Sequence, residues 1–276
     1  MKRLLLAAIL VSSLFQAEAQ VRMPQPSPTQ YLRQDFGLGN IEITYSRPAA
    51  KGRKIFGDLV PFGKVWRTGA NNATVVHFSD PVDIKGKHID SGSYALYTIP
   101  GEDNWEIILN KGVKNWGSMG YQESADVIRV TVPSMKSKME TENFTIQVGN
   151  IKPESCEIHI CWEKTMVAIP VTTVIKERLR SQLNAAMAAE KKPYFLAAQF
   201  YNEYDNNKAK ALENAKLAVQ QEPNAYWIWI YKARLEQDMG DNAAALASSQ
   251  RSLALATEQK NDDYVKMNVE LQKKLK

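Results

Sequence analysis

The chain has 276 residues, 35 of them basic and 30 acidic, a net charge of +5 and only two cysteines. So small a charge on so long a chain does not point to nucleic acid as a partner, and two cysteines exclude a disulfide-built scaffold. The length suits two domains, each with a core of its own.

Residues 1–19, MKRLLLAAILVSSLFQAEA, have a basic start at Lys2 and Arg3, an apolar run from Leu4 to Phe15, and Ala17 and Ala19 in cleavage-site spacing. This predicts a secretory signal cleaved after Ala19, since the apolar run is too short to span a bilayer. The expected product is exported, periplasmic or secreted, with 33 basic and 29 acidic residues once Lys2, Arg3 and Glu18 are removed. No cysteine lies near the cleavage point to carry a lipid, and no later run is apolar enough for a transmembrane segment. Residues 20–35, which include PQPSPTQ, read as a flexible lead.

From residue 36 to 173 the pattern alternates with period two and is broken by Gly, Pro, Asn and Asp. Strands are predicted at 41–46, 74–79, 82–84, 93–99, 105–110, 127–132, 144–148, 156–162 and 166–171. Short strands at this spacing imply a mainly β domain, an antiparallel β-sandwich or jelly-roll-like fold. IKGKHI and IPGEDNW each carry a glycine suited to a tight turn. Cys156 and Cys161 share one predicted strand, which separates them by roughly 16 Å. That is too far for a disulfide, and the odd spacing puts Cys156 toward the core and Cys161 on the other face.

After Val174 the period becomes 3.6, with helix-like runs at 174–190, 194–204, 209–221, 226–239, 243–259 and 263–275. Ala211-Leu212 recurs as Ala245-Leu246, 34 residues later, which is the tetratricopeptide period. Residues 174–276 are therefore expected to form an all-α tetratricopeptide-like domain of two degenerate repeats and a final helix. Ser249, Ser252 and Thr257 depart from the small or proline residues usual in such repeats. In YWIWIYKARL, helical geometry places Trp227, Ile230, Tyr231 and Arg234 near one face, for packing between repeats or for a partner.

The segments YSRPAAKGRKIFGDLVPFGKVWRTGANNAT, SGSYALYTIPGEDNWEIILNK and ICWEKTMVAIPV resemble the secreted bacterial family known as domain of unknown function 2911. The resemblance covers roughly residues 40–172 and is carried most specifically by Gly57, Pro61, Gly63, Lys64, Trp66, Arg67, Gly69, Ala70 and Asn71. It implies a signal peptide and a β domain, is compatible with a helical tail, and brings no established activity.

Between Arg47 and Arg67 six basic residues, Arg47, Lys51, Arg53, Lys54, Lys64 and Arg67, face one acid, Asp58. Residues 20–173 as a whole carry 17 basic and 16 acidic residues, so the excess is local. Such a patch suits an anionic ligand of the cell envelope: a carboxylated or phosphorylated glycan, a peptide carboxylate or a lipid headgroup. The candidate ligand residues are Arg53, Lys64, Trp66, Arg67 and Asn71, with Trp66 stacking on the ligand and Asn71 hydrogen-bonding it. An ordinary folding role competes: Trp66 plugging the end of the domain, Arg67 bonding carbonyls or an acid, Asn71 capping a bend. Arg67 suits both roles equally.

His77 and His159 lie on predicted strands, and Glu157, His159, Cys161 and Glu163 share a strand face that could hold zinc or copper. A polar outer face explains that row more simply, and no cofactor is implied. There is no Gly-x-Ser-x-Gly elbow, no His-Glu-x-x-His and no phosphate-cradling loop. His88, Asp90, Ser91 and Ser93 contain the residue types of a triad without its geometry. The expectation is a non-catalytic envelope binding protein, its β domain taking a ligand and residues 174–276 contacting protein. The alternative is an envelope hydrolase that uses Arg67 and a polar strand face.

Overall fold

A computed structural model describes residues 23–275. The signal expected over 1–19 and its cleavage point lie outside the described residues. Contacts divide the chain into two compact units, Met1–Thr173 and Val174–Lys276.

The first unit holds nine antiparallel strands: β1 (Thr29–Phe36), β2 (Gly39–Ser46), β3 (Thr74–Phe78), β4 (Val82–Ile84), β5 (Lys87–Ile89), β6 (Gly92–Ile99), β7 (Asn104–Asn110), β8 (Asp126–Lys152) and β9 (Ser155–Thr172). They form one ladder in the order β1-β2-β3-β6-β7-β8-β9-β4-β5. The ladder closes over on itself because β8 is long and irregular. Its start pairs with β7 up to Pro133, and from Ser134 it pairs with β9, with register shifts between Lys136 and Thr145 where the strand bends. Strands distant in the ladder thereby meet: the Tyr45 hydroxyl on β2 donates to the Ile146 carbonyl on β8 at 3.1 Å, although β3, β6 and β7 lie between. The inward residues of both halves, among them Ile43, Val76, Trp105, Ile107, Ile160 and Trp162, form one buried core. Each such side chain contributes about 1.5–3 kcal/mol on burial. The two-layer packing thus arises from one bent sheet.

Two expectations are corrected. The lead does not stay irregular through residue 35: Thr29–Phe36 pairs with β2 along its whole length. Its half-buried positions are Gln30, Leu32 and Gln34, so polar glutamines on the inner side hide the alternation. The predicted strands 127–132 and 144–148 belong to one strand, as do 156–162 and 166–171. Their polar middles mark a solvent-exposed bend and not a chain reversal. The cysteines behave as read: Cys156 is buried, Cys161 half-buried, and both are free. Burial pushes the Cys156 thiol up to about 11.

The second unit has six helices among the described residues: α1 (Lys176–Met187), α2 (Tyr194–Glu203), α3 (Lys208–Gln221), α4 (Tyr226–Asp238), α5 (Asn242–Glu258) and α6 (Asp262–Lys274). Side-chain oxygens of Asn207, Asp241 and Asn261 cap α3, α5 and α6, supplying acceptors that a helix start lacks. The serines that depart from the repeat pattern have a packing role. Ser249 donates to Asn268 Oδ1 at 2.9 Å, and the Asn268 amide donates to Ser252 Oγ at 2.9 Å, all three being buried between α5 and α6. In α4 the buried residues include Ile228 and Ile230, while Trp227 is exposed, so Trp227 is not the packing residue its helical position suggests.

Candidate functional site

The stretch around Trp66 is held open by turns that favour special backbone conformations. Lys51, Thr68 and Asn71 all have left-handed φ values, 51°, 54° and 60°, a concentration of strain expected near functional loops. Gly69 has φ 149°, and a Cβ there would lie 3.0 Å from the Ser46 carbonyl oxygen, so only glycine fits without displacement. The Gly69 carbonyl in turn accepts from Trp66 Nε1 at 3.1 Å. Trp66 also pairs through its backbone with Thr98 of β6.

Trp66 is thereby fixed as a buried plug. Its ring stacks on Trp162 with centroids 6.0 Å apart and 16° between planes, and meets Phe56, Trp105 and Phe144 edge to face. Neighbouring rings therefore take up its surroundings, and with 8 % of the residue exposed the expected stacking of a ligand on its face is not available.

Trp66 forms part of the wall of a cavity of about 450 Å³. Four cations line it: Lys51, Arg53, Lys64 and Arg67. Its apolar wall comes from Pro48, Ala49, Leu59, Val60 and Pro61, and its hydroxyls from Ser27 and Ser118. Among the described residues no Asp, Glu, His or Cys lines it. The cations are not equivalent. Lys51, Arg53 and Lys64 are exposed, and Arg53 braces its own loop by donating to the Ala49 and Ala50 carbonyls at 2.7 and 2.9 Å. Arg67 is half-buried, and its Nε is closed off from solvent without a hydrogen-bond partner. Its Nη1 passes 3.7 Å from the point a Cβ on Gly117 would occupy, against the loop that carries Ser118.

Sequence and structure thus agree in bringing Arg53, Lys64, Trp66 and Arg67 together, but Asn71 is not in the cavity wall. Its amide donates to the Ser27 carbonyl and Ser46 Oγ at 3.3 and 3.2 Å, tying the lead to β2. Sequence reading missed the contributions of Trp162, Ser118 and the lead, which arrive from distant segments with no local pattern linking them to Trp66. Lys54 is exposed and lies outside the wall, and Arg47 donates to the Phe144 carbonyl and Thr145 Oγ1.

The other candidates separate. His77 bonds Ser93 Oγ at 2.9 Å on β3 and β6, and His159 bonds Glu157 Oε2 at 2.7 Å on β9. Among the described residues no three potential ligands cluster for a metal. His88 lies 3.3 Å from Asp83 and is not bonded to a serine. A second charged group joins Arg129 to Glu106 at 2.7 Å and to Asp126 and Tyr121 at 3.0 and 2.8 Å. Burial and the bond to Asp126 push the Tyr121 hydroxyl up to about 12. This closed network pins the 3₁₀ turn at Glu123–Ala125 to the sheet.

No curated protein and no solved structure matches the chain. Residues 27–171, more than half of the 276, match the family described as protein of unknown function (DUF2911), and they span the sheet and every cavity residue except Pro26. The chain therefore belongs to the DUF2911 family.

Proposed function

We propose that this is an exported, non-catalytic binding protein of the cell envelope, whose β unit takes an anionic ligand in the cavity beside Trp66. The observation that carries the reading is the composition of the cavity wall, four cations and no acid around an apolar lining. Its volume falls within the range of small-ligand sites, and uncompensated positive charge in a concave wall draws anions. The same wall offers no side chain suited to act as a general base near neutral pH, which favours binding over turnover. Export rests on the pattern of residues 1–19. Contact with a protein partner through residues 174–276 is the second part of the reading, supported by the exposed Leu196 and Trp227.

A hydrolase is the competing reading, and the His77–Ser93 pair is what favours it. Glu42 pairs with His77 across β2 and β3, which lines up three triad residue types, but no bond joins Glu42 to the imidazole. The deciding experiment titrates the labelled exported protein with solubilised envelope extract and, in parallel, offers it glycosidase, esterase and peptidase substrates. Saturable, salt-sensitive binding without turnover is expected. Turnover abolished by His77→Gln in a folded protein would replace this reading with the hydrolase.

A further inference from the structure

We infer that Arg67 is the group that selects the ligand: it receives a carboxylate or phosphate oxyanion whose apolar body lies on the Leu59–Pro61 wall, while Lys51 and Lys64 only attract it. The inference rests on the binding reading above and divides its cations by depth. Lys51 and Lys64 are exposed and form no ion pair among the described residues. Charges so placed raise the rate of encounter and are screened by salt. Arg67 differs in kind. It is the half-buried cation of the wall, its Nε has lost solvent without gaining an acceptor, and no carboxylate among the described residues pairs with it.

A guanidinium stays charged at any working pH, and a buried N–H without a partner is costly. An oxyanion in the cavity accepts a charge-assisted bond from this guanidinium and can engage two of its nitrogens at once. A neutral hydroxyl or amide offers a weaker bond and no charge compensation. Leu59, Val60, Pro61 and Pro48 present hydrocarbon to the remainder of the cavity, so a bare inorganic ion leaves that wall unused. A ligand with an oxyanion at one end and an apolar portion beside it satisfies both. A phosphate ester and a carboxylic acid share that chemistry.

Calorimetry of the exported protein at low ionic strength tests this with four probes: benzoate, phenyl phosphate, inorganic phosphate and benzyl alcohol. Benzoate or phenyl phosphate is expected to bind at least ~10-fold more tightly than benzyl alcohol, and phenyl phosphate more tightly than inorganic phosphate. Either order between benzoate and phenyl phosphate supports the inference and tells a carboxylate source from a phosphate one. Arg67→Gln is expected to abolish the preference for the anion, with Arg67→Lys keeping part of it. Lys64→Gln, at an exposed position, is expected to keep the preference and reduce its salt dependence.

Equal binding of benzyl alcohol and benzoate, or an anion preference that survives Arg67→Gln, overturns the inference. Equal binding of inorganic and phenyl phosphate overturns the role of the apolar wall. If no probe binds while envelope extract still does, the inference falls and the binding reading stands; if neither binds, both fall.

Discussion

Trp66 and Arg67 are neighbours in sequence with opposite physical roles. The indole is buried among four other rings and its N–H is satisfied by Gly69. The guanidinium beside it bonds nothing among the described residues. Trp66→Ala should therefore cost about 3–5 kcal/mol in urea unfolding, the range for removing a large buried aromatic. Arg67→Ala should cost less than about 1 kcal/mol, because no network is broken. A large loss for Arg67→Ala would mean that the side chain holds the fold, and the selection role would then need another residue. The basic excess in this stretch was legible in the sequence because it is local. Which base stands deepest was not, since depth depends on Gly117 and Ser118, some fifty residues on.

At the scale of elements, what decides whether a segment is legible is whether its partner is near in sequence and its inner face apolar. β4 and the turn after it satisfy both, with Lys85 and Gly86 at φ 51° and 76°, whereas β5, with one buried residue of three, is not among the expected strands. β1 fails the second condition through Gln30 and Gln34. β8 meets the first, pairing with β7 before it and β9 after it, but its polar middle hides that its two halves are one strand. The six helices lie within three residues of the periodic runs, but the polar contacts that join α5 to α6 were hidden. Asn268 uses both amide hydrogens and its Oδ1, with Ser252, the Tyr264 carbonyl and Ser249, so Asn268→Ala should destabilise the helical unit by roughly 1–3 kcal/mol in helix-monitored denaturation. At the other end, α1 is tied down by Asp205, which accepts from Arg180 at 2.6 and 3.2 Å and meets Lys176 at 3.1 Å. Those two cations hold its carboxyl at about 2. A folded pKa below the unfolded one contributes stability that is complete above the ordinary carboxylate range and is lost as pH falls toward 2. Circular dichroism should show α1 loosening across that acid window, and Asp205→Asn should remove that part of the pH dependence.

The whole molecule joins two units whose cores are built differently. The β unit has one large cluster with three tryptophans, Trp66, Trp105 and Trp162, at its centre. The helical unit has four smaller clusters among the described residues, rich in alanine, three of them between consecutive helices and one joining α4 to α6. Small nearest-neighbour cores of this kind lose stability piecewise, whereas a single large core gives way together. Helical ellipticity should therefore be lost at lower urea than the fluorescence of the buried tryptophans, with the second transition the sharper. Trp66→Ala should move the fluorescence transition and leave ellipticity in place, and Asn268→Ala should move the ellipticity transition together with only that part of the fluorescence that comes from Trp227 and Trp229 of α4. Coincident transitions that both respond to either substitution would show one cooperative unit, and a ligand held beside Trp66 would then stabilise the helices as well. If the transitions separate, that ligand should protect only the β unit, leaving the helices free to engage a partner whether or not the cavity is filled.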